Sequence, residues 1–223
     1  VGLGTRRNIP LCGAVVSTCI VTTPERVSAD VSAQEAFKQS DEYKVQRAVA
    51  KFMEPFVTKM PKRKVIHRKV MDTIANRVKT WDEHATIVSG RFQTGKTAAV
   101  EEVLRGARGI FKHTVEDENW KKELYDSLQV DGPGMFETVI VRVKAELAKL
   151  ADPITKTPII LFEVPRMDTI SSTTKDLSTE GGKAAHVIIS ASSAAAALAF
   201  DAGSANRQKD IWIDDLTAEE AKK

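Results

Sequence analysis

Gly90-Arg91-Phe92-Gln93-Thr94-Gly95-Lys96-Thr97 places two glycines, a lysine and a hydroxyl at the spacing G-x-x-x-x-G-K-[ST], the residue set that cradling a phosphate chain requires. Gly90 and Gly95 let the backbone curl so that successive N–H groups point inward at phosphate oxygens. Lys96 supplies a point charge for the β and γ phosphates, and Thr97 can offer its hydroxyl to a magnesium ion. A helix opening at the end of such a loop adds the positive end of its dipole, which favours a bound anion. All eight residues are candidate nucleotide-phosphate contacts, and Thr97 is also a candidate metal ligand.

A short pattern carries weight only where a strand precedes it and a helix follows. Ala85-Thr86-Ile87-Val88-Ser89 is a β-branched apolar run that ends at Gly90, and Thr97 to Leu104 is a helix-forming run. Hydrolysis asks for more: magnesium coordination, a group that positions the attacking water, and a cation for the charge that develops on the γ phosphate. The unbroken apolar run Pro158-Ile159-Ile160-Leu161-Phe162 ends in Glu163. Runs of that kind are buried parallel strands, and ligands bind beyond their carboxyl ends. Glu163 is therefore a candidate catalytic carboxylate and metal ligand. Two consecutive acids, Asp then Glu, would be usual there, and only one is present.

The elements that must hold these residues follow from the rest of the chain. At 223 residues and a formal charge of +3, the chain fits one sizeable domain, or one domain with a helical extension, and the charge alone argues for no nucleic-acid partner. Cys12 and Cys19 are too few for a disulfide framework or a metal site, which makes an intracellular, cytoplasmic setting the simplest expectation. Arg6 and Arg7 precede the apolar run Leu11 to Val21. Residues 1–21 thus resemble a signal or organelle-targeting segment, while the run falls short of the roughly 20 residues of a membrane span; a buried strand or helix, or a loosely ordered terminus, fits as well. The chain opens on Val1 rather than methionine and stops within a helix-like stretch from Leu216 to Lys223, so a longer parent sequence is expected.

Ser32-Ala33-Gln34-Glu35 fits a capping box at the start of a helix that runs to Pro55. The basic run Lys62 to Val70 leads into Met71, Ile74 and Val78 at helical spacing, an amphipathic helix laid against the nucleotide-binding region. Without interleaved aromatic residues, this run supports nucleic-acid or acidic-membrane contact only weakly. His67 and His84 lack partners at ligand spacing, which makes them surface or core residues. Gly109 to Val115 alternates like a strand, Asn119 to Leu128 and Phe136 to Leu150 repeat apolar residues at helical intervals, and Asp131 to Gly134 is a loop by composition. Lys175 to Ala185 holds a short helix and a turn; Ala185 to Ser190 and Asp210 to Ile213 read as further strands, with a small-residue helix from Ala194 to Phe200 between them. Strands alternating with helices imply a parallel sheet with helices on both faces.

Glu163-Val164-Pro165-Arg166-Met167-Asp168 resembles the acid-V-x-R-x-D ending of the Walker B segment in AAA-like ATPases of the archaeal-ATPase and STAND group. The succession Val187 to Ser192, Phe200-Asp201, Arg207-Gln208-Lys209, Trp212 to Thr217 and Glu219-Glu220-Ala221 is similar to the retrotransposon-hot-spot and Crinkler-associated branch of AAA-type ATPases. The resemblance covers roughly Pro61 to Lys223. It implies an α/β P-loop NTPase sandwich with a five-stranded parallel sheet ordered 5-1-4-3-2, and three segments: an N-terminal extension over 1–60, an ATPase core over 61–215, and the start of a lid over 216–223. It also implies ATP and Mg²⁺ as cofactors, Ser190 or Ser192 as the sensor that ends the fourth strand, and Arg207 as an arginine acting on the γ phosphate. The usual aspartate aligns with Phe162. Either Glu163 serves the metal shell and leaves Val164 where a catalytic acid would be, or Glu163 keeps the catalytic place beside a weakened metal shell. The expected activity is slow, magnesium-dependent ATP hydrolysis that switches the protein, a protein partner or an oligomer of this chain. The alternatives are a nucleotide-binding interaction module without turnover and a small-molecule phosphotransferase.

Overall fold

Why Phe162 and Glu163 part company is decided by the sheet. The structure is a computed structural model, and it describes residues 40–59, 65–151, 153–164, 170–180, 183–191 and 208–222. The strands are β1 (Ala85–Gly90), β2 (Ile110–Thr114), β3 (Ile159–Val164), β4 (His186–Ala191) and β5 (Gln208–Ile213). All pair in parallel, in the order β2-β3-β4-β1-β5, which is the expected 5-1-4-3-2 read from the other edge. Register sets the carboxyl ends of the central strands side by side: Thr114 pairs with Glu163, and Glu163 with Ser190.

Side chains alternate between the two faces of a strand. One face carries Ile87, Phe111, Ile160, Phe162, Val187 and Ile189 into a core closed by helices α1 (Asp41–Met53), α4 (Trp120–Leu128) and α5 (Pro133–Ala148). The other carries Val88, Ile110, Leu161, Ile188, Ile211 and Ile213 against α2 (Lys69–Lys79) and α3 (Lys96–Leu104). The result is a three-layer arrangement in which Glu163, Ser190 and Lys112 belong by parity to the α3 face and Phe162 to the opposite one.

Local chemistry explains the element ends. Helix α1 starts where the Ser40 hydroxyl accepts the Tyr43 N–H at 3.2 Å, and it stops at Met53 ahead of Pro55, because the residue before a proline is pushed out of the helical region. The capping box expected at Ser32 to Glu35 lies outside the described residues. Val45, Ala48 and Phe52 bury the inner face of α1 in the sheet's own core. Helix α2 begins at Lys69, later than the basic run suggests, with Val65 to Arg68 non-helical before it, and Met71, Ile74 and Val78 are buried. Helix α5 absorbs Pro133 and Gly134, which composition assigns to a loop: proline is tolerated at the first helical position because its missing N–H has no intrahelical partner there. Between β3 and β4 the chain forms α6 (Ser171–Lys175), which runs into a π-helical turn at Asp176–Glu180.

Beyond β5, Thr217 and Glu220 exchange hydrogen bonds in a reciprocal capping box, N–H of Thr217 to the Glu220 carboxylate at 3.0 Å and N–H of Glu220 to the Thr217 hydroxyl at 3.2 Å. A 3-10 turn follows at Glu220–Lys222. The expected helix from Ala194 to Phe200 lies outside the described residues. No helix among the described residues is long and apolar enough to cross a membrane.

Candidate functional site

The loop between β1 and α3 is shaped by its two glycines for different reasons. A Cβ on Gly90 would stand 2.2 Å from the Ile213 carbonyl oxygen, because β5 runs directly alongside. Gly95 caps α3 with φ +82°, a left-handed conformation, and a Cβ there would meet no protein atom within 4 Å. The space beside Gly95 is thus free of protein atoms, and Gly95 lines a cavity. Thr94 ties the loop together through its hydroxyl, which donates to the Arg91 carbonyl at 3.0 Å. Arg91, Phe92 and Gln93 are exposed.

Lys96 is only 6% exposed. Its ammonium lies in the hollow of the loop, donating to the Gly90 carbonyl at 3.0 Å and to the Arg91 carbonyl. Burial pushes its pKa down from the ordinary lysine value. A cation held by two carbonyls, with no carboxylate on it, is available to phosphate oxygens.

Thr97, one residue into α3, is the meeting point of three elements. Its hydroxyl donates to Glu163 Oε1 at 3.2 Å and lies 3.2 Å from the Ser190 hydroxyl. The parallel register of β3 and β4 brings the last two together. Two hydroxyls and a carboxylate are hard oxygen donors of the kind magnesium takes, so Thr97, Glu163 and Ser190 would fit such an ion. Among the described residues there is no cluster of three or more His, Cys, Asp or Glu side chains that would form a separate metal centre.

Glu163 has two further partners that sequence reasoning missed. Lys112 on β2 reaches Oε2 at 2.9 Å and Lys59, from the segment between α1 and α2, reaches it at 3.1 Å. Burial raises the Glu163 pKa, and the hydrogen bonds and charges of Lys112 and Lys59 outweigh it, so the carboxyl lies below the usual glutamate value and is ionised at neutral pH. Lys112 also contacts Glu101 of α3 at 2.6 Å, and Glu101 in turn accepts the Lys59 backbone N–H at 2.9 Å. A lysine directly after Ile110 and Phe111 in β2 was a visible signal for Lys112; no pattern marks Lys59.

Arg68 was likewise hidden in the basic run. It is 9% exposed and donates to the Thr94 carbonyl at 2.8 Å and the Asp214 carbonyl at 2.7 Å, with Glu220 at 3.5 Å. It therefore joins the phosphate loop to the chain that leaves β5. A cavity of about 590 Å³ is lined by Gly95, Thr97 and Glu163 together with the apolar side chains of Val65, Ile66, Met71 and Leu216. Arg207 and Ser192 lie outside the described residues. His67 is exposed beside Asp72 at 3.2 Å, and His84 is half-buried next to Glu83 at 3.3 Å.

No protein-family profile matches the chain, and no curated protein matches it. Among solved structures it is similar to Hsp104 in its closed state with ATPγS and FITC casein, determined by cryo-electron microscopy, at 16% identity and a TM-score of 0.45. That match covers 78% of this chain and 32% of the other, so the chain spans about a third of the length of the Hsp104 chain.

Proposed function

We propose that this chain is a magnesium-dependent ATP-binding module of the P-loop, AAA/STAND-like kind, in which the loop Gly90 to Gly95 and Lys96 hold the β and γ phosphates and Thr97, Glu163 and Ser190 hold the metal side. The observation that carries this reading is the Thr97 hydroxyl at 3.2 Å from both Glu163 Oε1 and Ser190 Oγ, immediately after a glycine-lysine loop, at the carboxyl ends of adjacent parallel strands. Thr97, Glu163 and Ser190 would hold the ion, which would supply positive charge to neutralise the phosphate oxygens. The apolar side chains of the cavity, Val65, Ile66, Met71 and Leu216, would take the base. Glu163 then acts as the metal-side carboxylate, the first of the two roles open to it from sequence.

Turnover on this reading is slow. Phe162 and Val164, the neighbours of Glu163, are fully buried on the far face and hold no carboxylate toward an attacking water. Arg207, by resemblance, supplies a cation to the γ phosphate. Nucleotide state would be communicated through Arg68, which touches both Thr94 and the segment after β5, to a protein partner or a second copy of the chain. The same burial of Phe162 and Val164 favours a second reading, an ATP-dependent interaction module without hydrolysis. Phosphate release by purified wild type, Lys96→Ala and Glu163→Gln separates the two. Release by wild type above the Lys96→Ala background supports slow hydrolysis; ATP binding with no release above that background selects the second; absence of ATP binding removes both.

A further inference from the structure

Lys59 is placed unlike any other cation of the site. Its backbone is fastened to the far side of α3: Phe56 exchanges backbone hydrogen bonds with Ala107 at 2.8 Å and Gly106 at 2.9 Å, and the Lys59 N–H donates to Glu101 Oε2 at 2.9 Å. Its side chain is 63% exposed, against 13% for Lys112, yet both ammonium groups share the Glu163 carboxylate. Lys112 has a second, buried partner in Glu101, whose side chain is 5% exposed; the Lys59 side chain is held by Glu163.

A divalent cation accepted by Thr97 and Glu163 repels both ammonium groups, because like charges at such distances compete for one carboxylate. The group that yields is the one with the shorter list of partners and the freer side chain. A flexible four-carbon stem from a fixed backbone can carry the ammonium a short way, along the cavity that Lys59, Glu163, Thr97 and Gly95 line together.

Resting on the magnesium-nucleotide reading above, we propose that Lys59 is an exchangeable cation: it neutralises Glu163 in the nucleotide-free protein and passes to an oxygen of the terminal phosphate when a magnesium-loaded triphosphate binds, so that it discriminates triphosphate from diphosphate. The role is one of binding selectivity, built from the segment before α2 rather than from the strand ends.

The test is equilibrium binding of a non-hydrolysable ATP analogue and of ADP, each with magnesium, to wild type, Lys59→Ala and Lys59→Arg. Loss of one charge-assisted contact predicts about tenfold weaker analogue binding by Lys59→Ala, ADP affinity within about twofold of wild type, and recovery of most of the difference by Lys59→Arg. Retained ADP affinity shows that the variant is folded. Unchanged analogue affinity in Lys59→Ala, or equal loss for both nucleotides, overturns the proposal and leaves the proposed function standing. A wild type that binds neither nucleotide overturns both.

Discussion

Phe162 and Glu163 are adjacent in the chain and face opposite sides of the sheet. Glu163 Oε1 accepts the Thr97 hydroxyl at 3.2 Å, while the Phe162 ring packs edge-on against Trp120 with centroids 5.4 Å apart. The period of two along a strand fixes this: to place residue 162 beside Thr97, the whole strand would have to slip and expose its apolar set. Restoring an acid in the sequence at 162 would therefore not supply a metal ligand. Phe162→Asp is expected to lose about 3–5 kcal/mol or more of stability, since it deletes a large core side chain and buries a charge, with no gain in magnesium affinity. Urea denaturation and magnesium titration of the surviving folded protein check the two halves.

The two loop glycines separate space from chemistry. Gly90→Ala drives a Cβ to 2.2 Å from the Ile213 carbonyl, and destabilisation of about 3 kcal/mol is expected from the forced shift of β5. Gly95→Ala meets no protein atom and costs only the left-handed strain of about 1–2 kcal/mol. Its Cβ enters the space assigned to phosphate, so ATP affinity should fall at least tenfold while the melting temperature drops less than for Gly90→Ala. Calorimetry and nucleotide titration on the same two variants give the comparison.

Lys112 and Glu101 form a pair with side chains 13% and 5% exposed. Removing one member leaves a buried charge with fewer partners, and Lys112→Met should cost about 3 kcal/mol. Adding Glu101→Leu to that variant should return part of the loss, because two apolar side chains then occupy the space. A double-mutant cycle by chemical denaturation measures it.

How much of this was legible in the sequence depends on which physical signal each part left. The phosphate loop with its flanking strand and helix, and the five parallel strands, come from residue type and run length, and both are present in the fold. The face taken by Glu163 does not, because β3 is apolar at every position from Ile159 to Phe162 and a strand buried on both sides shows no alternation. Lys59 and Arg68 reach the site from the segments around α2, more than twenty residues before the strand ends they touch, so no spacing rule connects them. The start of α2 was shifted because Lys62 to Arg68 looks helical in charge pattern, whereas Arg68 is held extended with φ −121° and ψ 145° by its bonds to Thr94 and Asp214.

His186 gives a pH signature unrelated to nucleotide. It is 0% exposed, stacked on Trp81 at 5.1 Å, with Nε2 2.8 Å from the Thr86 hydroxyl. That hydroxyl also accepts Arg77 Nε–H at 3.2 Å. Burial, and then the Arg77 charge, lower its pKa from 6.5 to about 3. Burial lowers the His113 pKa in the same direction. Between pH 6.5 and 3 the unfolded chain binds the proton that folded His186 does not, so stability is full above 6.5 and declines as the pH falls. From pH 7 to 5 the loss from His186 is about 2 kcal/mol. Thermal melts should show that decline in wild type and a smaller one in His186→Gln; identical slopes would contradict the neutral, buried imidazole.

The most direct test of the central claim, that Thr97 and Glu163 form the metal side of a nucleotide site, is the equilibrium affinity for ATP with and without magnesium in wild type and Glu163→Gln. The geometry predicts at least tenfold tighter binding with magnesium in wild type. In Glu163→Gln that enhancement should be mostly lost and magnesium-free affinity preserved, since Lys96 and the loop are untouched. An enhancement that survives Glu163→Gln intact, or a wild type whose ATP affinity ignores magnesium, would contradict it.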